Sequence, residues 1–283
     1  MMDVPQFGHG WLGDLPDVRD VTPATTEIRQ EIGRLKRRRS ARSPKPASVD
    51  LREYCLPPTD QGSLRSSSAH AVLGLLGYCE RRATGRALSA SARFLYRTAR
   101  RLDGLGGDNG VGLRTTFKAL ARFGCPPQRY WPENNAEFDV EPDALAFGFA
   151  RETATLRYVR LDERGASGDD VLKRIKSFLA SGWACVCGAT LPPGPYERGD
   201  LAFPTKFDAP VGGAAFTVVG YDDAYRIRST KGALLVRSAW GAQFGDAGYG
   251  RLPYRYVEEK LAVDFWTVWK PEWSASGEFE QPV

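Results

Sequence analysis

The 283-residue chain reads as an α+β protein in which helices come first and strands later. Two observations predict this. Before residue 125, apolar residues recur at helical spacing in several stretches, and they do so once more over 169–181. After that point come five short β-rich segments, each bounded by Gly, Pro or Asp. That order implies two lobes, one helical and one built on sheet, with a cleft between them.

The elements follow in order. Residues 1–48 are polar and loop-like apart from a short helix over 26–37, and they end in Ser43-Pro44-Lys45-Pro46, a boundary signal. Gln61-Gly62-Ser63-Leu64-Arg65-Ser66-Ser67-Ser68 then runs into an apolar stretch, 69–79, which predicts a buried helix with the serines as N-caps. Two more helices are predicted at 89–101 and 113–123, separated by the Gly/Asp loop 103–110. The strands are expected at 184–190, 214–221, 233–239, 248–253 and 262–269. The expected organisation is an N-terminal extension with a basic linker (1–48), a main unit (49–273) and a tail (274–283). The main unit divides into a helical lobe at about 49–150 and a β-rich lobe at about 151–270.

Composition narrows the function. Five cysteines leave at least one thiol unpaired and do not make a disulfide scaffold. With no secretory signal or membrane span visible, a cytoplasmic protein with reduced thiols is expected. Cys185 and Cys187 sit on one strand face, a buried pattern rather than a metal site. Two histidines, His9 and His70, leave little room for zinc or imidazole chemistry, and neither metal nor cofactor is expected. The net charge of +5 is concentrated over 34–45, where Arg34, Lys36, Arg37, Arg38, Arg39, Arg42 and Lys45 crowd together. Such a run is a solvated linker or a site for nucleic acid or acidic membrane; without interleaved aromatics, nucleic acid is the less favoured partner.

Three blocks carry a family resemblance. They are Val49-Asp50-Leu51-Arg52 with Gln61-Gly62-Ser63-Leu64; Gly212-Gly213 with Gly220-Tyr221-Asp222-Asp223; and Ala239-Trp240-Gly241 with Phe244-Gly245-Asp246, Gly248-Tyr249-Gly250 and Leu252-Pro253. In this order and spacing the chain resembles papain-like cysteine peptidases, the C1 family, over about residues 49–270. The opening Gly10-Trp11-Leu12, Asp14-Leu15-Pro16-Asp17, Arg19-Asp20 resembles the N-terminal extension of bacterial members. The resemblance implies a papain-like two-lobe fold with a helical left lobe and a twisted, barrel-like antiparallel right lobe.

The family's chemistry needs a thiolate at a helix N-terminus, an imidazole to activate it, an amide to orient the imidazole and a glutamine for the oxyanion. Carried over, the glutamine is Gln61, the nucleophile position is Ser67, the imidazole position is Ala214 and the asparagine position is Ser238. Ala214 falls within the roughly 130–150 residues that separate cysteine from histidine in the papain group. The resemblance therefore implies a degenerate site, a pseudopeptidase, with Gln61, Arg65, Ser67, Gly212, Gly213 and Trp240 as residues of a peptide- or protein-binding cleft. Arg65 replaces the glycine two residues before the nucleophile, where it either crowds the cleft and receives an acidic group or swings into solvent. His70 lies one helical turn past Ser67, so a Ser67–His70 dyad serving a hydrolase or acyltransferase is the alternative to a packed helix-face histidine. His9 reads as a surface residue. Residues 1–48 are long enough to lie across the cleft as a built-in ligand.

Overall fold

The computed structural model describes residues 9–34, 45–150, 156–194 and 196–282. Most of the basic run over 34–45, and the end of the helix expected over 26–37, lie outside the described residues.

The chain opens with β1 (Trp11–Leu12), α1 (Thr26–Arg34) and β2 (Ser48–Asp50). The helical lobe follows with α2 (Ser67–Thr84), α3 (Ala92–Leu102), β3 (Val111–Gly112), α4 (Leu113–Phe123) and α5 (Ala144–Ala150). Then come β4 (Arg157–Arg160), α6 (Gly168–Ala180), β5 (Cys185–Leu191), β6 (Gly212–Ile227), β7 (Thr230–Arg237), β8 (Tyr249–Pro253), α7 (Arg255–Glu258), β9 (Ala262–Trp269) and α8 (Pro271–Ser276).

Helix α2 is the spine of the left lobe. Ala69, Val72, Leu75, Leu76 and Cys79 bury its inner face. It stops at Gly85, whose left-handed backbone lets its N–H reach the carbonyl of Arg81. Ser91 caps α3 by accepting from the Phe94 amide, and Ser167 caps α6 by accepting from that of Asp170. The serines before α2 do not cap it that way. Ser66 stands at its N-cap without a side-chain bond, and Ser68 Oγ donates to the Val111 carbonyl instead.

The right lobe is one seven-stranded sheet in the order β4-β9-β5-β6-β7-β8, with β2 added along β6. Every pairing in it is antiparallel. The sheet stays open, with β4 and β8 at its ends, where the resemblance implied a barrel-like lobe. β5 is covered on both faces, which is why it reads as a continuous apolar run and why Cys185 and Cys187 are both fully buried. Helix α2 packs on β6: Thr217 Oγ1 donates to the Ala71 carbonyl at 3.0 Å. A side chain at Gly74 would meet Thr217 Oγ1 and the Arg237 guanidinium within 2.7 Å. This close approach fixes the start of α2 against the start of β6. Beyond α8 the chain folds back, with Phe279 packed on Trp183 and Trp183 stacked on Trp269 at 4.3 Å.

Candidate functional site

Ser67 is the first residue of α2, and its hydroxyl accepts a hydrogen bond from the Ala215 amide of β6 at 3.1 Å. Both residues are buried, as is Ala214. The start of α2 therefore faces the start of β6, and the positions of Ser67 and Ala214 come together across the two lobes. Ser238 lies just past β7; its hydroxyl donates to the Gly248 carbonyl at 3.1 Å and accepts from the Trp240 amide at 3.3 Å. Trp240 is buried, edge-on to Phe216 and Phe244 and stacked on Tyr196, so it serves as core.

The two histidines go elsewhere. His70 is buried, and its Nδ1 pairs with Thr59 Oγ1 at 2.9 Å. No hydrogen bond joins it to Ser67 among the described residues. Burial, then the nearby Arg237 charge, push its pKa down to about 4, so the ring is neutral at pH 7. His9 is half-buried rather than a surface residue, with its ring over Gly212. Burial and the Arg65 charge lower its pKa as well.

His9 belongs to a strap, residues 9–14, within the N-terminal segment for which a place across the cleft was one expectation. The buried Gln61 amide donates from Nε2 to the His9 carbonyl at 3.0 Å, and also to the Leu64 carbonyl. Gly10 N donates to the Gly213 carbonyl of the right lobe, and the Gly10 carbonyl accepts from Val111 N of the left lobe, both at 2.9 Å. Glycine is required here twice over. Its φ is +136°, and a Cβ would fall 2.0 Å from the Arg65 carbonyl oxygen. β1 then pairs in parallel with β3. Arg65 itself is exposed; its amide donates to the Asp108 carboxylate, and no carboxylate pairs with its guanidinium among the described residues.

Next to the strap lies a partly buried charge network. Asp14 Oδ2 accepts from Arg114 N at 3.0 Å, in the first turn of α4, and from Trp266 Nε1 at 3.2 Å. Asp264 accepts from Trp11 Nε1 at 3.1 Å, from Asp14 N at 2.8 Å and from Arg160 at 2.8 Å. Arg160 also pairs with Asp20 and Asp162, and Arg114 pairs with Asp20 at 2.6 Å. Three carboxylates, those of Asp20, Asp162 and Asp264, thus share two guanidiniums. Burial foremost, then the charge of Asp264, pushes the Asp14 carboxyl up to about 6. Asp264 is likewise raised, by burial and by Asp162.

Several of these residues carried a signal in the sequence. Asp264 interrupts an otherwise apolar strand, and Trp11 and Asp14 sit in the dense Gly-Trp-Leu, Asp-Leu-Pro-Asp block. Gly188 carried none, because its role depends on what lies over it.

Comparison with known proteins places this architecture. No protein-family model matches the chain. An uncharacterized peptidase C1-like protein of Acanthamoeba polyphaga mimivirus is 27% identical over 277 residues, covering 92% of this chain and 86% of the relative. Xylellain, a cysteine protease from Xylella fastidiosa, superposes with a TM-score of 0.73 at 26% identity, over 95% of this chain and 98% of xylellain.

The chain has the papain-like fold and is similar in sequence to C1-family proteins.

Other papain-like proteins share the fold at lower identity. Procathepsin B from Trypanosoma congolense matches with a TM-score of 0.62 at 15% identity, over 92% of this chain and 85% of its own. Digestive procathepsin L 3 of Tenebrio molitor larval midgut matches at 0.57 and 19%, over 86% and 77%. Among the described residues of this papain-like protein, no helix is long and apolar enough to cross a membrane.

Proposed function

We propose that this papain-like protein is a non-catalytic member of its family, a pseudopeptidase. In this reading its cleft is a peptide-binding groove occupied by its own residues 9–14. The observation that carries it is the surrounding of Ser67: its hydroxyl is bonded to the backbone N–H of Ala215, and the two histidines of the chain are bonded to Thr59 or packed over Gly212.

A serine hydroxyl needs a base to attack a carbonyl, and the departing amine needs an acid. Ala214 can be neither. Loss of the base from a serine hydrolase costs on the order of 10⁶ in kcat. Gln61 retains its donor, but here it meets the His9 carbonyl of the strap. A donor that binds a ground-state carbonyl contributes affinity without accelerating a reaction. The relatives named as cysteine proteases support the groove as a place where peptide backbone lies.

The test is direct. The purified protein is exposed to a fluorophosphonate and to a thiol-directed epoxide, and separately to a peptide library read by mass spectrometry. No label on Ser67 and no cleavage are expected. Stoichiometric fluorophosphonate labelling of Ser67, lost in Ser67→Ala, would overturn the reading in favour of a serine hydrolase.

A further inference from the structure

The strap is read at two side chains, one against the right lobe and one where the two lobes meet. The Trp11 indole lies flat against β5 and β6 where both strands carry glycine. A Cβ at Gly188 would fall 1.9 Å from the indole, and one at Gly213 would fall 2.6 Å from it. Any other residue at Gly188 would fill the slot. Asp264 takes the indole N–H at one oxygen and, through its other oxygen, the Arg160 guanidinium.

Asp264 reaches that point through a bulge. Val186 pairs with Trp266 and Gly188 with Val263, so Asp264 and Phe265 together face the single residue Cys187. Asp264 sits there at φ +56°, buried, and its own amide is held by Asp162 at 2.7 Å. A non-glycine residue in that backbone region is strained, and such strain concentrates at ligand clamps. Three residues along the strap, the Asp14 carboxylate meets Arg114 N and Trp266 Nε1, and a Cβ at Gly112 would collide with it at 2.5 Å. Leu12, between these anchors, and Leu15, just after them, are turned outward, 40% and 81% exposed.

We infer that the seam between the lobes carries a docking site for extended peptides bearing a tryptophan and, three residues on, an aspartate. Residues 9–14 fill it in cis, and a segment of the same pattern on another chain is its ligand in trans. The inference rests on the reading that the strap occupies the groove, and adds which side chains the groove selects. Because the tethered strap competes at a high local concentration, a free peptide binds only when the strap is weakened.

The experiment uses the full chain. Hydrogen exchange of the amides of residues 10–14 is followed in the wild type, Trp11→Ala, Asp14→Ala and Leu12→Ala. A fluorescein-labelled peptide of residues 9–20 is then titrated by anisotropy into the wild type and Trp11→Ala. Trp11→Ala and Asp14→Ala are expected to expose the strap amides at least tenfold faster, and Leu12→Ala to leave them within twofold of wild type. Trp11→Ala should bind the peptide at least tenfold more tightly than the wild type does. A peptide with its tryptophan or its Asp14 equivalent replaced by alanine should bind at least tenfold more weakly. Should Trp11→Ala lose its cooperative melt, Asp14→Ala takes its place in the titration. An open strap already in the wild type would sink the occupied groove itself. A protected strap whose opening ignores Trp11 and Asp14, or a peptide bound equally without its tryptophan, would overturn only the proposed selectivity.

Discussion

Gly188→Ala is the sharpest perturbation of the groove. In an ordinary strand the change is favourable by about 0.5–1 kcal/mol, because glycine loses the most conformational freedom on folding. Here the new methyl would sit 1.9 Å from one indole carbon of Trp11 and 2.2 Å from two more ring atoms. Carbon atoms settle at about 3.5–4.0 Å, so the ring must retreat by about 2 Å. That displacement breaks its 3.1 Å bond to Asp264. Overpacking costs about 1–3 kcal/mol, and a hydrogen bond to a charged group about 1.5–3 kcal/mol. Since the strap can lift away rather than bear the whole cost, its docking should weaken by about 2–4 kcal/mol, or roughly 30- to 1000-fold in the open population. The assay is hydrogen exchange at the Gly10 and Asp14 amides, which are bonded to Gly213 O and Asp264. The same substitution in a Trp11→Ala background removes the clash, so the cycle should return a coupling of about 2 kcal/mol or more. If Gly188→Ala slows strap exchange, or costs the same with and without Trp11, the reasoning about this slot is wrong.

Three further outcomes are expected. The Asp14 and Asp264 carboxyls are both raised in the docked state, by burial and by neighbouring carboxylates, with Asp20, Asp162, Arg114 and Arg160 around them. The docked strap therefore binds more protons than the open one. Its protection factors should be greatest below about pH 4 and decline as pH rises through about 6, and Asp264→Asn should flatten that profile. All five cysteines are buried free thiols, and burial raises the pKa of each. A chromogenic disulfide should thus titrate none of them within minutes in the native protein and all five in denaturant; prompt native reaction of one thiol would contradict its burial. Ser67→Ala leaves the buried Ala215 amide without its acceptor, which should lower unfolding stability by about 1–3 kcal/mol in urea melts. An unchanged midpoint would mean that this bond contributes nothing.

Helical periodicity in the first half and β-rich punctuation in the second were enough to place α4 and β9 at their observed bounds and α3, α6, β5, β7 and β8 to within three residues. Those elements carry long apolar patterns that survive any tertiary context. The two-residue strands β1 and β3 were invisible, since neither has a pattern of its own and each exists only because the other lies beside it. The open edge of the sheet was equally hidden, because nothing in the strands' own residues says whether the first and last meet.

The site divides along the same line. By itself, the sequence determined which residues could do chemistry: a serine, an alanine and a second serine at the positions implied for thiol, imidazole and amide, and only two imidazoles anywhere. Composition is exhausted by a single reading, so no folding can add a histidine. Only the tertiary structure decided where those imidazoles went, and what filled the groove. His70 turned to Thr59, while the Ser67 hydroxyl took the Ala215 amide of β6. The strap docks between the lobes because two glycines on neighbouring strands make room for the Trp11 indole, and a bulge in β9 brings a carboxylate to its N–H. Contacts of that kind join residues about 250 positions apart, and their physical basis is shape and charge assembled from separate strands.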